Sequence, residues 1–162
     1  MPINKNYNNS IIFHIIRLSE TIKKHGDTLT NKYTITTQQW IMMLLITKDP
    51  NSVWVQENAI EGEPLSAKDL ALAMNVSRAN ISNLLTPLIQ KKLVQQTNDG
   101  VDKRRNRITL TAEGERIINE LEIPRIERND ALFANFSQVE KENFLSFVQQ
   151  ALKLLKADEH SK

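Results

Sequence analysis

The chain has 162 residues, 40% of them hydrophobic and 25% charged, which is ordinary for a folded domain and excludes wholesale disorder. Cysteine is absent, so disulfides, thiolate metal sites and a thiol-based redox switch are excluded within this chain. The formal net charge of +2 is unevenly spread: residues 77–107 carry seven bases and two acids, as a polyanion-binding module needs, while 1–76 is neutral and 108–162 is acidic.

Residues 1–9, MPINKNYNN, are polar and read as a loose arm. Ile11, Ile12, Ile15, Ile16 and Ile22 then recur at helical spacing, which predicts a helix over 10–29. The apolar run IIFHIIRL within it is too short for a signal peptide, is broken by His14, and has no small-residue cleavage pattern after it. Thr36 and Gln39 make a capping box in front of WIMMLLI (40–46), predicting a short, mostly buried helix to 47. That run is far below the roughly 20 residues that span a bilayer, so the chain reads as soluble and cytoplasmic, with no membrane partner. Residues 48–64 hold two prolines, a glycine and several turn formers; they read as a long loop with a brief strand at Val53–Val55.

The next signals are sharper. Ser66 and Asp69 form a second capping pair and open a helix to Met74; Asn75, tolerant of the left-handed conformation, suits a tight turn. Ser77 caps a further helix running to Lys91. Two short helices so closely joined form a helix-turn-helix. Leu70, Met74, Val76, Ile81, Leu84 and Leu88 supply its core, Ala71 is small where the helices cross, and Arg78, Asn80, Ser82, Asn83 and Thr86 are left outward. Pro87 removes the bond its amide would make to the Asn83 carbonyl, so a kink or a shortened helix is expected there.

The stretch VDKRRNRITLTAEG (101–114) follows, with Lys103, Arg104, Arg105 and Arg107 crowded behind Asp102. Alone, such a run is a solvated turn. Here β-prone runs flank an Asp-Gly pair, which predicts a hairpin with a long tip; Thr111 then caps a helix. Pro124 predicts a kink or break, and Ser137 with Glu140 forms a third capping box before a last helix to 156. The histidines (His14, His25, His160) have no ligand-like spacing, so no metal site is expected. No nucleophile motif, His–carboxylate cluster or Gly-rich phosphate loop is present, so no catalytic residue, cofactor or enzyme activity is expected.

Helix-turn-helix, hairpin and helix, flanked by long terminal helices, make the fold class mainly α with a small β-wing. The stretches LSAKDLALAMNVSRANISNLLTPLIQKKLV (65–94) and DKRRNRITLTAEG (102–114) resemble the MarR family of transcriptional regulators. The second matches that family's wing signature, an acid, any residue and Arg, leading to an apolar–x–Leu-Thr–x–x–Gly ending. The resemblance covers nearly the whole chain. It implies an N-terminal arm and dimerisation helix (1–34), a winged lobe (35–110) and C-terminal dimerisation helices (111–162). It also implies a homodimer on a pseudo-palindromic operator in double-stranded DNA, with the recognition helix in the major groove and the wing tip in the minor groove. Arg78 then suits a guanine, and either Asn80 or Asn83 an adenine; Ser77 and Ser82 suit phosphates. Arg104 matches the family arginine of the minor groove, Asp102 positions it, and Lys103, Arg105 and Arg107 hold phosphate or the groove edge.

Two departures stand out besides the long 48–64 loop: Pro87, and Lys92 where the family often has glycine, so that the helix ends without the usual left-handed glycine. His14, Trp40 and Trp54 are candidates to meet a small aromatic or anionic effector that releases a repressor; a residue such as Trp54 more often simply anchors a loop to the core. The alternative is a winged helix used for protein–protein assembly, with the basic wing docking an acidic partner.

Overall fold

The computed structural model describes residues 6–98 and 106–159. Two compact units divide between Glu122 and Ile123. In the first, α1 (Tyr7–Thr30) starts ahead of the periodic isoleucines, because the Asn6 side chain accepts from the amides of Asn8 and Asn9 at 2.9 and 3.2 Å. The end of the expected loose arm is therefore helical. A 3₁₀ turn (Asn31–Tyr33) and a left-handed Thr34 lead into α2 (Thr37–Ile46), which begins at the expected capping box: Thr36 donates its amide to Gln39 Oε1 at 3.0 Å, and Gln39 returns its own to Thr36 Oγ1.

The segment between α2 and the helix-turn-helix is not the expected loop with a strand. Val53–Asn58 form a helix, α3. The Asp49 carboxylate accepts from the Asn51 amide at 2.8 Å, the Ser52 amide bonds the Asp49 carbonyl, and Ser52 caps the turn at the Val55 amide. This local capping, with burial of Val55, overrides the strand preference of two β-branched valines.

The helix-turn-helix follows as α4 (Ala67–Met74) and α5 (Arg78–Gln90), then β1 (Val94–Asn98), β2 (Asn106–Leu110) and α6 (Ala112–Leu132). The strands pair antiparallel from Val94↔Leu110 to Asn98↔Asn106, and the Ile108 amide donates to the Leu65 carbonyl, tying the hairpin to the chain ahead of α4. Leu70, Ile81, Leu88, Val94 and Ile108 are buried with Met42 and Met43 of α2 in one core. Met74 and Val76 lie at its edge.

Neither proline ends its helix, and α5 closes without a glycine, as expected. α5 is not shortened at Pro87: it continues to Gln90, and the Lys91 amide bonds the Pro87 carbonyl at 3.0 Å. Lys92 takes the left-handed conformation itself (φ 56°), with the Leu93 amide on the Leu88 carbonyl, so no glycine is needed to end the helix. α6 runs unbroken through Pro124, which forfeits one amide donor while the surrounding turns keep theirs. The second unit holds the rest of α6 and α7 (Gln138–Glu159), begun by the Ser137–Glu140 box.

Candidate functional site

The candidate site is built on α4 and α5. Ser66 donates its amide and hydroxyl to Asp69 Oδ2 at 2.8 and 2.6 Å and accepts from the Asp69 amide, which fixes where α4 begins. Asn75, left-handed at φ 52°, ends α4 and turns the chain, and Ser77 accepts from the Asn80 amide to start α5. Ile81, Leu84, Leu85 and Leu88 point α5 into the core. Its opposite face therefore presents Ser77, Arg78, Ser82 and Asn83 to solvent, with Asn80 half-buried between the two faces. The Arg78 guanidinium makes no ion pair among the described residues, and Ser82 Oγ rests on the Arg78 carbonyl at 3.2 Å.

Beside α5 the hairpin is locked at its base. The Thr111 amide donates to the Leu93 carbonyl, its hydroxyl to the Lys92 carbonyl at 2.6 Å, and that hydroxyl oxygen accepts from Gly114. Gly114 has to lack a side chain: a β-carbon there would lie 2.1 Å from the Leu93 carbonyl oxygen. The Thr–x–x–Gly ending of the wing signature is thus the joint between β2, α6 and the end of α5. Arg107 on β2 is exposed; Asp102, Lys103, Arg104 and Arg105 lie outside the described residues.

Between α5 and the strands opens a hollow of about 850 Å³. Arg78 and Ser82 line it from α5, Gln96 and Arg107 from the strands, Lys68 from α4, and Trp54 and Asn58 from α3. Of its acids, Asp69 is engaged by Ser66, which leaves Glu63. Like Arg78, Lys68 makes no ion pair among the described residues. Such a surface is suited to an anion that passes between helix and hairpin.

A model of the MarR family matches residues 58–105, from the last residue of α3 through α4, α5 and β1 into the hairpin. Over that stretch the chain is similar to the MarR family. It is 28% identical over 123 residues to the HTH-type transcriptional regulator FarR of Neisseria gonorrhoeae, covering 76% of this chain and 75% of that one. To the HTH-type transcriptional regulator PchR of Bacillus subtilis it is 27% identical over 117 residues, covering 70% and 69%. The fold superposes on S. aureus MepR in its complex with DNA with a TM-score of 0.72 and 25% identity, covering 90% of this chain and 95% of MepR.

Within this winged helix, Arg78, Ser82 and Asn83 share the outward face of α5 with Asn80 at its edge, and Arg78 and Ser82 meet Arg107 around the hollow. Lys68, Gln96 and Asn58, which also line it, were not legible in the sequence; only Lys68, two residues past the Ser66 cap, carried a local signal. The three effector candidates separate: Trp54 lines the hollow, Trp40 is buried with its indole N–H unpartnered among the described residues, and His14 is exposed on α1, its Nδ1 2.7 Å from the Ser10 carbonyl. Among the described residues no group of side chains could hold a metal, and no helix is long and apolar enough to cross a membrane.

A second polar cluster ties α6 to the turn after α1. Tyr33 donates its hydroxyl to Glu120 at 2.5 Å, Arg116 bridges Glu113 and Glu120, and Lys32 sits 3.9 Å from Glu120. The Tyr33 hydroxyl, with Arg116 and Lys32, holds the Glu120 carboxyl below the usual range; Arg116 does the same for Glu113 and is itself pushed further up by the two glutamates. Lys91, just past α5, donates to the Thr34 hydroxyl at 2.8 Å and to its carbonyl. The chain just past α5 is thereby anchored to the link between α1 and α2.

Proposed function

We propose that the chain is a sequence-specific DNA-binding transcriptional regulator, a repressor that binds a pseudo-palindromic operator as a homodimer and is released by a small aromatic or anionic effector. The observation that carries this reading is the outward face of α5, where Arg78, Ser82 and Asn83 are exposed beside a hairpin of basic sequence and Arg78 makes no ion pair among the described residues. A guanidinium can bridge the guanine O6 and N7, an amide the adenine N6 and N7, and serine hydroxyls can hold phosphates. Arg104 enters the minor groove, positioned by Asp102, while Lys103, Arg105 and Arg107 meet the backbone. Residues 1–34 and 111–162 supply the dimer base and 35–110 the DNA-binding lobe. The kinship with FarR and PchR supports a regulatory role, and that with DNA-bound MepR supports the docking.

The effector acts on the separation and tilt of the two lobes, for which a coupling of about 1–3 kcal/mol suffices. Of the candidates His14, Trp40 and Trp54, which do not share one pocket, the exposed His14 is the one left to the effector once Trp54 faces the hollow. The test of the DNA reading is a titration of the full chain against the region upstream of its own gene, repeated across salt. A steep salt slope and a footprint of two half-sites about one helical turn apart are expected. Equal binding to unrelated DNA, or none, overturns it.

A further inference from the structure

We propose that the hollow between α5 and the strands seats the phosphodiester strand separating the major from the minor groove, and that α3 forms its rear wall, with Trp54 and Lys68 on the DNA backbone. This rests on the DNA-binding reading above. A helix in one groove and a hairpin tip in the next must straddle the sugar-phosphate ridge between those grooves. The space left for that ridge is the roughly 850 Å³ hollow flanked by Arg78 and Arg107.

Its rear is closed by residues outside both the helix-turn-helix and the hairpin. Trp54 is half-buried on α3, and its indole N–H makes no hydrogen bond among the described residues. The helix carrying it is pinned: Val55 is buried, Gln56 Nε2 donates to the Pro50 carbonyl at 2.6 Å, and Lys48 donates to the Ile60 carbonyl. Trp54 is therefore held in place before DNA arrives, which limits the ordering cost of its contact. Lys68, in the first turn of α4, supplies a cation that makes no ion pair among the described residues. Glu63 opposes the phosphate charge and limits the gain.

Contacts of this kind meet sugar and phosphate and carry no base information. Trp54→Ala and Lys68→Gln should each weaken binding several-fold, by the same factor on operator and unrelated DNA. Lys68→Gln should also reduce the salt slope by about one. Glu63→Gln should strengthen both. Arg78→Ala, by contrast, should change the ratio of operator to unrelated binding. Lys68 and Glu63 are exposed, so those variants keep the test valid even where Trp54→Ala perturbs the fold. Failure of the wild type to bind DNA overturns the functional reading itself. Wild-type binding with Trp54→Ala and Lys68→Gln indistinguishable from it, in affinity and salt slope, overturns this inference alone.

Discussion

Gly26 of α1 faces the side chain of Thr37 so closely that a β-carbon would lie 2.4 Å from Oγ1 and 2.6 Å from Cγ2. Thr37 cannot turn aside cheaply. Its Oγ1 lies 2.8 Å from the Lys23 carbonyl and 2.7 Å from Asp27 Oδ1, which also accepts its amide at 2.7 Å. This contact fixes the angle at which α1 leaves the lobe. In an exposed helix, Gly→Ala stabilises by about 0.5–1 kcal/mol. Here overpacking reverses the sign, and Gly26→Ala should cost about 1–3 kcal/mol in urea denaturation. The double variant Gly26→Ala/Thr37→Ala should be more stable than the two single effects predict, since the clash is shared. A stabilised Gly26→Ala protein would show that the helices are not in this contact.

The joint beneath the wing gives a second prediction. The carbonyl that a Gly114 β-carbon would meet belongs to the backbone of Leu93 and already accepts from Thr111, so it has little room to retreat. Gly114→Ala should destabilise by about 1–3 kcal/mol. Thr111→Ala removes the cap on the Gly114 amide and should cost about 0.5–2 kcal/mol, with Thr111→Ser close to wild type. Thermal melts of the three variants decide this; the ranking, with Thr111→Ser mildest, is the result to check.

Local chemistry made much of this fold readable from sequence. The boxes at Thr36–Gln39, Ser66–Asp69 and Ser137–Glu140 were legible because both partners lie within one turn. The left-handed Asn75 was legible because few residues tolerate that conformation. α3 was not, since the β-branched Val53 and Val55 outweigh Ser52 in a local reading, and the burial of Val55 that decides the matter is tertiary. The absence of a glycine at Lys92 was legible, but its left-handed conformation was not, because hydrogen bonds around it hold a conformation its side chain disfavours. The same division runs through the site. The polar face of α5 follows from periodicity, whereas Trp54 and Arg78 are distant in sequence and come to one hollow only through the tertiary fold.

The terminal helices carry the third prediction. On α1, Ile12, Phe13 and Ile16 are exposed, Phe13 to 73%; on α7, Phe144, Leu145 and Phe147 are exposed, Phe147 to 67%. Monomeric proteins rarely leave apolar surface of this kind to water. Covering it in a homodimer predicts sedimentation at twice the chain mass at micromolar concentration. The variant Phe13→Asp/Phe147→Asp should sediment as a monomer with its helix content kept, and lose most of its operator affinity because one half-site is read at a time. A wild type that sediments as a monomer would remove the dimer from the proposal.

Acid sensitivity gives the fourth. Glu140 Oε2 accepts the amide and the hydroxyl of Ser137, each at 2.8 Å, and these bonds, the amide first, hold its carboxyl below the ordinary value of 4.5. A carboxylate whose folded pKa is depressed stabilises the fold above its unfolded value, and that contribution is lost as pH falls through the folded one. Glu113 and Glu120 are depressed as well, so the whole protein should lose stability below about pH 4.5. Glu140→Gln separates one site from the others. Glutamine still accepts from Ser137 but has no charge to lose, so the variant should melt below wild type at neutral pH. The gap should then close as the pH falls from about 5 to about 3. A gap that stays constant over that range would mean that the hydrogen bonds, and not the ionised carboxylate, make the cap of α7.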